Sequence, residues 1–301
     1  MIRIGTRNSA LALWQAQQVK NQLQALGVSA ELIPVESEGD QNLRDPLYKM
    51  GIQGIFTKTL DAALLDQRID IAVHSLKDVP TVLAEGIEIK AVLARGACAD
   101  VLVYPPEHNT PPKKIIGTGS LRRKAQWLRK YPDYTVENLR GNVQKRLEKL
   151  AQSEWTGAIF AQAGIERLEL SDLHYNKLDW MIPAPAQGAI GIASLSSNSA
   201  VLPFLDRLNS SETALCTEIE RSFLNTLEGG CTAPIGAIAK IKGSKLFFQG
   251  GLFSLDGSQT KQIEEVVSLQ DAKGLGIQSA KKILDQGGAS LMDEIKSQLS
   301  K

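Results

Sequence analysis

The sequence Ile2-Arg3-Ile4-Gly5-Thr6-Arg7-Asn8-Ser9 joins a short apolar segment to a run with helical periodicity. Residues 2–5 predict a β-strand, and Ser9 is placed to cap a helix, because a serine oxygen accepts hydrogen bonds from the first helical turn. The helix has an apolar face, ends at a glycine and leads into a second strand. The apolar positions are Leu13, Ala16, Val19 and Leu23, the glycine is Gly27, and the strand is Ala30–Val35. A strand, a helix and a strand in this order predict a parallel α/β sheet.

The same alternation continues over the first two thirds of the chain. Residues 60–65 predict a helix, and the continuous apolar run 69–73 predicts a buried strand. A second series of strands and helices comprises residues 115–116, 120–130, 134–139, 142–151 and 158–161. From about Ser210 a long helix precedes strands at residues 237–241, 246–253 and 261–267, which is typical of an α+β unit. The Pro-rich stretch 104–112 predicts a boundary between units or a hinge region, and residues 183–185 predict a second junction.

Composition and charge exclude several classes of protein. The 301 residues contain 34 Lys and Arg against 33 Asp and Glu, a formal charge of +1, so the whole protein has no field that favours nucleic acid or membrane. Three scattered cysteines exclude a disulfide scaffold, and no segment has the apolar length of a membrane span. Residues 1–7 lack the apolar core of a secretion signal. We therefore expect a cytoplasmic protein.

The charge between Lys113 and Lys149 is one-sided, with eleven lysines and arginines against three acidic residues. A solvated helix face best explains Lys124, Arg129, Lys130, Lys145 and Lys149. Four other arginines follow predicted strand ends or occupy a separate helix face: Arg122, Arg123, Arg140 and Arg146. Helix N-termini favour anions, and arginine binds carboxylates and phosphates through two parallel hydrogen bonds. The sequence therefore predicts a site for one of these anions.

The motifs of several common sites are missing. Gly117-Thr118-Gly119 is not followed by the third glycine of a dinucleotide fingerprint, and neither a phosphate-binding loop nor a hydrolase nucleophile motif occurs. The three histidines, His74, His108 and His174, lack metal-ligand spacing. We therefore expect no metal.

Two further residues are candidates for chemistry. Asp78 lies just beyond the predicted strand 69–73, at an edge where parallel sheets form clefts. It either pairs with Lys77 or caps a turn, or it stabilises a cationic intermediate and exchanges protons with a substrate. Cys231 follows Gly229-Gly230 in a loop without bulk beside the sulfur. It is either a small buried apolar residue, as we expect for Cys98 and Cys216, or an approachable thiol.

Motifs spread over nearly the whole chain identify a resemblance. They comprise residues 6–15, 74–80, 120–123, 139–143, 163–168, 187–189, 229–231 and 234–236. Among them are Ser120-Leu121-Arg122-Arg123 and Leu139-Arg140-Gly141-Asn142-Val143. In this order, with a cysteine in the Gly-Gly-Cys loop, they resemble the porphobilinogen deaminase (hydroxymethylbilane synthase) family.

The resemblance implies an enzyme that joins four porphobilinogen molecules head to tail, losing ammonia each time, and releases the linear tetrapyrrole hydroxymethylbilane. It implies a dipyrromethane cofactor, which the protein assembles from porphobilinogen units and holds through a thioether to Cys231. Each pyrrole carries an acetate and a propionate. The resemblance therefore explains arginines gathered in a protein of nearly neutral charge.

The resemblance also implies roles for individual residues. Asp78 would hold the pyrrole nitrogens, stabilise the cation left by ammonia loss and transfer protons. The implied cofactor-binding residues are Cys231, Ser9, Lys77, Asp78, Ser120, Arg122, Arg123 and Arg140. The implied substrate-binding residues are Arg7, Ser9, Lys49, Arg140, Arg146, Arg167 and Gln187.

The sequence departs from the usual family pattern at several positions. Gln53 stands where a lysine is usual, Thr59 replaces an acidic residue, Gly119 replaces a serine and Ala186 replaces a glycine. Residues 95–100 lack a usual Asp-Pro-Arg. Gln53 lacks the positive charge of the usual lysine, so its share in carboxylate binding stays open, whereas the aspartate, the main arginines and the cysteine are in place.

The implied fold has two α/β domains like the lobes of periplasmic binding proteins, and a smaller α+β C-terminal domain. The first domain would comprise residues 1–93 with 189–208, the second residues 99–182 with the arginine-rich side of the cleft, and the third residues 211–301 with Cys231. We expect hinges at 94–98 and 183–188, a mobile loop at 42–58 and a monomeric protein.

Two other functions fit parts of the pattern. A two-lobed protein that binds an anion without catalysis would share the fold, but the absence of a secretion signal and the Gly-Gly-Cys loop argue against it. A nucleic-acid binder could use residues 113–149, where Trp127, Tyr131 and Tyr134 lie, yet no known nucleic-acid module is present. We therefore expect neither nucleic acid nor a membrane as a partner.

Overall fold

The computed structural model describes residues 1–36, 57–106, 113–227 and 233–300, and their strands form three sheets. The first sheet consists of β1 Ile2–Arg7, β2 Ala30–Val35, β3 Ile71–Ser75, β4 Ile87–Val92 and β10 Ile190–Leu195. The strand order is β2-β1-β3-β10-β4. β1 is parallel to β2 and β3, whereas β10 is antiparallel to β3 and β4. The prediction of a purely parallel sheet is therefore wrong for β10, which enters the sheet from a distant part of the chain.

The predicted strand–helix–strand unit at the N-terminus is confirmed. The first sheet carries the helices α1 Ala10–Ala25, α2 Lys58–Leu65 and α6 Leu202–Leu208. Ser9 caps α1, since its hydroxyl oxygen accepts a hydrogen bond from the Ala12 N–H at 3.4 Å. Gly27 follows the end of α1 with a φ of +78°, a conformation that glycine adopts without steric cost. Ile4, Val19 and Leu23 are fully buried, so α1 packs its apolar face against the sheet.

The second sheet also contains five strands of mixed direction. Its strands are β5 Asp100–Val103, β6 Lys113–Gly117, β7 Thr135–Glu137, β8 Trp155–Ala161 and β9 Tyr175–Lys177, and its helices are α3 Leu121–Lys130, α4 Val143–Ala151 and α5 Gln162–Arg167. The order is β7-β6-β8-β5-β9, with β5 antiparallel to β8 and β9. Because β5 and β6 both pair with β8, residues 104–112 connect two strands of one sheet. The prediction of a boundary between units at this Pro-rich stretch is wrong.

The C-terminal part of the chain forms an antiparallel sheet with helices against it, as the sequence predicts. The elements are α7 Ser211–Thr226, β11 Ile235–Lys242, β12 Lys245–Phe253, β13 Thr260–Ser268, α8 Leu275–Ile283 and α9 Ala289–Leu299. The strand order is β11-β12-β13. Gly250 of β12 allows α7 to approach the sheet, because a Cβ atom at this position would lie 2.6 Å from Cζ of Phe223. The α/β class with a smaller C-terminal domain is thus confirmed.

Two segments carry the chain between the first and second sheets, one after β4 and one before β10. They bond to each other: the Gly96 N–H donates to the Gly188 carbonyl at 3.1 Å, and Arg95 Nε donates to the Gln187 carbonyl at 2.9 Å. Glu220 of α7 is fully buried and accepts from Arg95 Nη1 at 2.6 Å and from the Ala186 N–H at 2.7 Å. One carboxylate of the C-terminal unit therefore ties the two crossing segments together.

The three sheets lie within the three predicted residue ranges, and the domain edges themselves stay predictions. Among the helices of the described residues, none combines the length and the apolar character needed to cross a membrane.

We expect the substitution Glu220→Gln to destabilise the protein. It leaves the Arg95 guanidinium, only 13% exposed, without a counter-charge, a change that typically costs about 3 kcal/mol or more. Urea unfolding of both proteins measures the difference. Glu218→Gln, an exposed carboxylate on the same helix, is the matched control and should stay within about 0.5 kcal/mol of the parent. Equal stability of the two variants would contradict the account of Glu220.

Candidate active site

A cavity of about 70 Å³ lies between the first and second sheets. The first sheet contributes residues from α1 and from the end of β3, and the second contributes residues from α3, α4, β8 and α5. The lining residues are Leu11, Gln15, Ser75, Lys77, Arg123, Val143, Arg146, Phe160, Ala161, Ala163, Gly164, Ile165, Arg167, Gly188 and Ala189. Ligands of α/β sheets bind at the carboxyl ends of strands, and the end of β3 and the start of the helix after β8 both meet here.

The charge of this cavity is entirely positive. Lys77, Arg123, Arg146 and Arg167 line it, and the described residues that form its wall include no carboxylate. Burial lowers the pKa of Lys77 to about 8 and that of Arg146 to about 10, with Arg123 nearby adding to the effect. Positive charges that are costly to bury without partners favour the binding of anions. We call Lys77, Arg123, Arg146 and Arg167 the cationic cluster.

The turn that carries Asp78 is hydrogen-bonded to the crossing segment at residues 187–189. β3 ends at Ser75, and Leu76–Asp78 forms a single 3₁₀ turn whose first N–H donates to the Ala189 carbonyl at 3.0 Å. Lys77 Nζ donates to Gln187 Oε1 at 3.4 Å. Asp78 is half-buried at the end of the turn. The structure therefore brings Lys77, Gln187 and Asp78 to one region, as the site prediction requires.

Arg122 and Arg123 are paired within the protein, which the sequence did not predict. Arg122 Nη1 donates to Asp100 Oδ2 at 2.6 Å and to the Ile182 carbonyl at 2.8 Å. Arg123 Nε donates to Asp100 Oδ1 at 3.0 Å. Burial alone would raise the pKa of Asp100, but the two guanidinium groups hold it well below its usual range. Of the two arginines, only Arg123 reaches the cavity wall among the described residues.

Asp100 is not among the predicted site residues, although the sequence carries a signal for its pairing. It begins an otherwise apolar strand and is fully buried, and a buried carboxylate of this kind needs cationic partners. The sequence carries this signal as an aspartate before three apolar residues, Asp100-Val101-Leu102-Val103. Two adjacent arginines, Arg122 and Arg123, follow further along the chain. Gln187 joins the group, since its Nε2 donates to Asp100 Oδ1 at 3.0 Å.

Gln15 and Ser75 also line the cavity and were not predicted. Gln15 is 2% exposed, and its Nε2 donates to Ser75 Oγ at 2.8 Å. The sequence feature that could have pointed to Gln15 is its position as a polar residue on the buried face of α1, beside Ala12 and Ala16.

Arg146 and Arg167 of the cationic cluster lie over aromatic rings, and Arg167 also donates a hydrogen bond to a backbone oxygen. Arg146 lies over the Phe160 ring at 4.9 Å. Arg167 lies over the Trp14 ring at 5.5 Å, and its Nη2 donates to the Gly188 carbonyl at 2.6 Å. Burial lowers the pKa of Arg167. Arg167 thus contacts both the first-sheet helix α1 and a crossing segment.

The remaining predicted site residues lie at strand and helix ends. Ser9 and Ser120 cap α1 and α3, and the Ser120 hydroxyl accepts from the Arg123 N–H at 3.5 Å. Arg140 is buried after β7, and Arg7 ends β1 beside His74. Burial lowers the pKa of His74 to about 4, and the Arg7 charge adds to this.

Lys49 and Cys231 lie outside the described residues, as do Gln53 and the predicted loop 42–58 apart from its last two positions. Within the described ranges, no group of three or more His, Cys, Asp or Glu side chains could hold a metal ion.

Two departures from the family pattern have local explanations. A Cβ atom at Gly119 would lie 2.8 Å from the Leu139 carbonyl, so glycine allows the strand ends to approach closely. Ala186 is fully buried with a φ of +61°, a left-handed conformation that favours glycine. Its hydrogen bond to Glu220 holds the backbone there.

Comparison with known proteins identifies the family. The family model "Porphobilinogen deaminase, dipyromethane cofactor binding domain" matches residues 2–202, and the model "Porphobilinogen deaminase, C-terminal domain" matches residues 214–285. A porphobilinogen deaminase of Desulfitobacterium hafniense is 40% identical and aligns over 100% of this chain and 99% of its own length. Those of Moorella thermoacetica and Helicobacter hepaticus are 39% and 40% identical, over 100% and 96% of this chain and 98% and 94% of their own lengths.

Solved structures give more distant similarities. The VFT2 domain of Bordetella pertussis BvgS has a TM-score of 0.40 at 12% identity, covering 69% of this chain and 85% of that domain. A periplasmic sulfonate-binding protein of Methylobacillus flagellatus has a TM-score of 0.38 at 12% identity, covering 73% of this chain and 67% of that protein.

The two family models together span both α/β sheets and most of the C-terminal unit, and the relatives align from end to end. The predicted family, its enzymatic class and its dipyrromethane cofactor are confirmed. This chain belongs to the porphobilinogen deaminase family.

Proposed function

We propose that this chain joins four porphobilinogen molecules head to tail, with loss of ammonia at each addition, and releases hydroxymethylbilane from a dipyrromethane primer held by Cys231. The observation that carries the proposal is the cationic cluster, which lies between the two α/β sheets without a carboxylate among the described residues of the cavity wall. Porphobilinogen brings an acetate and a propionate on every ring, so the substrate supplies the missing charge.

The residues present fit the cofactor. The dipyrromethane carries four carboxylates, and the cavity presents half-buried cations, whose pKa values are lowered by desolvation. When bound, the cofactor supplies the primer to which the first porphobilinogen is joined. The residues proposed to hold it are Cys231, Ser9, Lys77, Asp78, Ser120, Arg122, Arg123 and Arg140, and those proposed to hold the substrate are Arg7, Ser9, Lys49, Arg140, Arg146, Arg167 and Gln187.

Arg122 and Arg123 act together with Asp100 in this proposal. The carboxylate neutralises part of their charge and fixes both guanidinium groups. A pair that is fixed before the ligand arrives loses little side-chain entropy when it binds. Asp100 is therefore a positioning residue for the cofactor-binding arginines.

Asp78 is proposed to carry the chemistry. A carboxylate next to the pyrrole N–H groups stabilises the positive charge that develops on the substrate ring as ammonia leaves. The same carboxylate can accept the proton lost from the attacked carbon. Its position at the end of a turn fixed by Ala189 and beside Lys77 supports this role, because the carboxylate is half-buried and the turn that carries it is ordered.

The growing chain requires the two α/β units to separate. The cavity is lined by residues of both α/β units, so a product that lengthens between them is accommodated by moving the units apart. We propose residues 94–98 and 183–188 as the hinges, with domains at 1–93 and 189–208, 99–182 and 211–301. We also propose a monomeric, cytoplasmic enzyme.

The substitution Asp78→Asn removes the charge, and Asp78→Glu keeps the charge but moves it. We expect both to lower the turnover number by about 100-fold or more, measured as porphobilinogen consumed and ammonia released in equal amounts. Both variants should still unfold in a cooperative urea transition, which shows that they are folded when assayed. Asp66→Asn, at an exposed helix end, is the control and should keep full turnover. A folded Asp78→Asn enzyme with normal turnover would remove Asp78 from the mechanism.

The low pKa of Lys77 predicts a dependence of stability on pH. The folded protein loses this proton near pH 8, whereas an unfolded lysine keeps it to about pH 10.4. In that range the unfolded chain binds more protons, so the free energy of unfolding rises with pH. In the primer-free Cys231→Ala protein, Lys77 should contribute a rise of about 2 kcal/mol between pH 8 and 10. Adding Lys77→Met should remove that rise.

Urea titrations at three pH values measure this effect. Lys273→Met, an exposed lysine, should leave the rise unchanged. The primer-loaded parent should lack it, because a cofactor carboxylate held by Lys77 would stabilise the charged form and raise its pKa again. Identical pH profiles of the Lys77→Met and Lys273→Met proteins would contradict the burial of this charge.

A further inference from the structure

Arg221 of α7 donates hydrogen bonds to the backbone of the turn that carries Asp78. Its Nη1 donates to the Val79 carbonyl at 2.8 Å and to the Leu76 carbonyl at 3.2 Å, and its Nη2 donates to the Pro80 carbonyl at 2.7 Å. The bonded carbonyls lie on both sides of Asp78 in the sequence. The C-terminal unit thus holds a turn that belongs to the first sheet.

A second side chain on the same helix face extends this contact. Asn225 lies one turn beyond Arg221, and residues at this spacing share a face. Asn225 Oδ1 accepts a hydrogen bond from Thr81 Oγ1 at 2.9 Å. Residues 76–81 are therefore hydrogen-bonded to α7 at two successive turns of the helix.

The same helix connects the other parts of the site. Glu220, next to Arg221 in sequence, bonds to both crossing segments, and Cys231 follows shortly after the end of α7 at Thr226. α7 therefore has fixed contacts with the turn that carries Asp78 and with the segments between the α/β units.

We propose that Arg221 is a positioning residue that fixes the turn carrying Asp78 to helix α7. The inference rests on the catalytic role proposed for Asp78. Three backbone oxygens in different directions require the planar fork of a guanidinium, which the single nitrogen of lysine cannot reproduce. Arg221 acts through Asp78, because its terminal nitrogens are occupied by backbone oxygens of the turn.

The substitution Arg221→Lys tests this role. Displacement of a catalytic group by about 1 Å lowers a rate by about 100-fold, so we expect the turnover number to fall by about 10- to 100-fold. The KM for porphobilinogen should change less than about threefold, since the proposed carboxylate-binding residues are untouched. Intact mass before the assay should show the same primer loading as the parent. Arg207→Lys, an exposed arginine of α6, is the matched control and should retain full turnover.

A double substitution separates positioning from a general structural role. If Arg221 acts through Asp78, then Asp78→Asn with Arg221→Lys should be no slower than Asp78→Asn alone. Three results would each overturn the inference and leave the role of Asp78 intact. The first is a double variant whose turnover number falls by the product of the two single effects. The others are a normal turnover number for Arg221→Lys, and an Arg221→Lys enzyme in which only the KM is changed. Normal turnover of Asp78→Asn alone would overturn both.

Asn225→Ala keeps the inference testable if Arg221→Lys does not fold. This change removes only the contact to Thr81, so we expect a smaller loss of turnover number. The Val79 N–H, which donates to the Leu76 carbonyl at 3.2 Å, should exchange faster with deuterium than in the parent. Unchanged turnover and unchanged exchange in this variant would overturn the inference.

Discussion

The partial or full burial of four positive charges, on Lys77, Arg123, Arg146 and Arg167, is the constraint on which the rest of the site depends. These side chains lie in one cavity, and burial lowers the pKa of each. Such an arrangement opposes folding until anions arrive. The surrounding bonds hold it in place: Asp100 pairs with Arg123, the Gly188 carbonyl accepts from Arg167, and aromatic rings lie under Arg146 and Arg167. A ligand with several carboxylates would bring further counter-charges to these cations, as the proposed function requires.

Helix α7 makes hydrogen bonds to several of the segments that surround this positive cavity. Glu220 bonds to both segments that cross between the α/β units, and Arg221 bonds to the turn that carries Asp78. Two adjacent residues thus link the C-terminal unit to the proposed hinges and to the proposed catalytic carboxylate. These contacts hold the proposed hinges and the proposed catalytic carboxylate to one helix, so a motion of the α/β units about the hinges would leave α7 as their common support.

Local patterns in the sequence predicted much of this fold, and long-range pairing was the part they could not supply. Ser9 caps α1 as predicted, and the two helices predicted to begin at residues 120 and 142 have Ser120 and Asn142 as their caps. Strands β5, β9 and β10 run antiparallel to neighbours that are distant in sequence, and no local periodicity encodes that choice. Asp100 was missed for the same reason, since its partners Arg122 and Arg123 become neighbours only when β5 enters the sheet. The family resemblance, in contrast, rests on short motifs and on their order along the chain, and both can be read from the sequence without knowing which strands pair.

The central claim is that Cys231 carries a covalent primer of two pyrroles, and intact mass under denaturing conditions tests it most directly. Each purified protein is incubated with porphobilinogen, unfolded and weighed. The account predicts that the parent and a Cys98→Ala control gain the mass of two linked porphobilinogen-derived units, whereas Cys231→Ala keeps the mass of the bare chain. A bare parent chain after incubation, or an adduct that persists in Cys231→Ala, would contradict it.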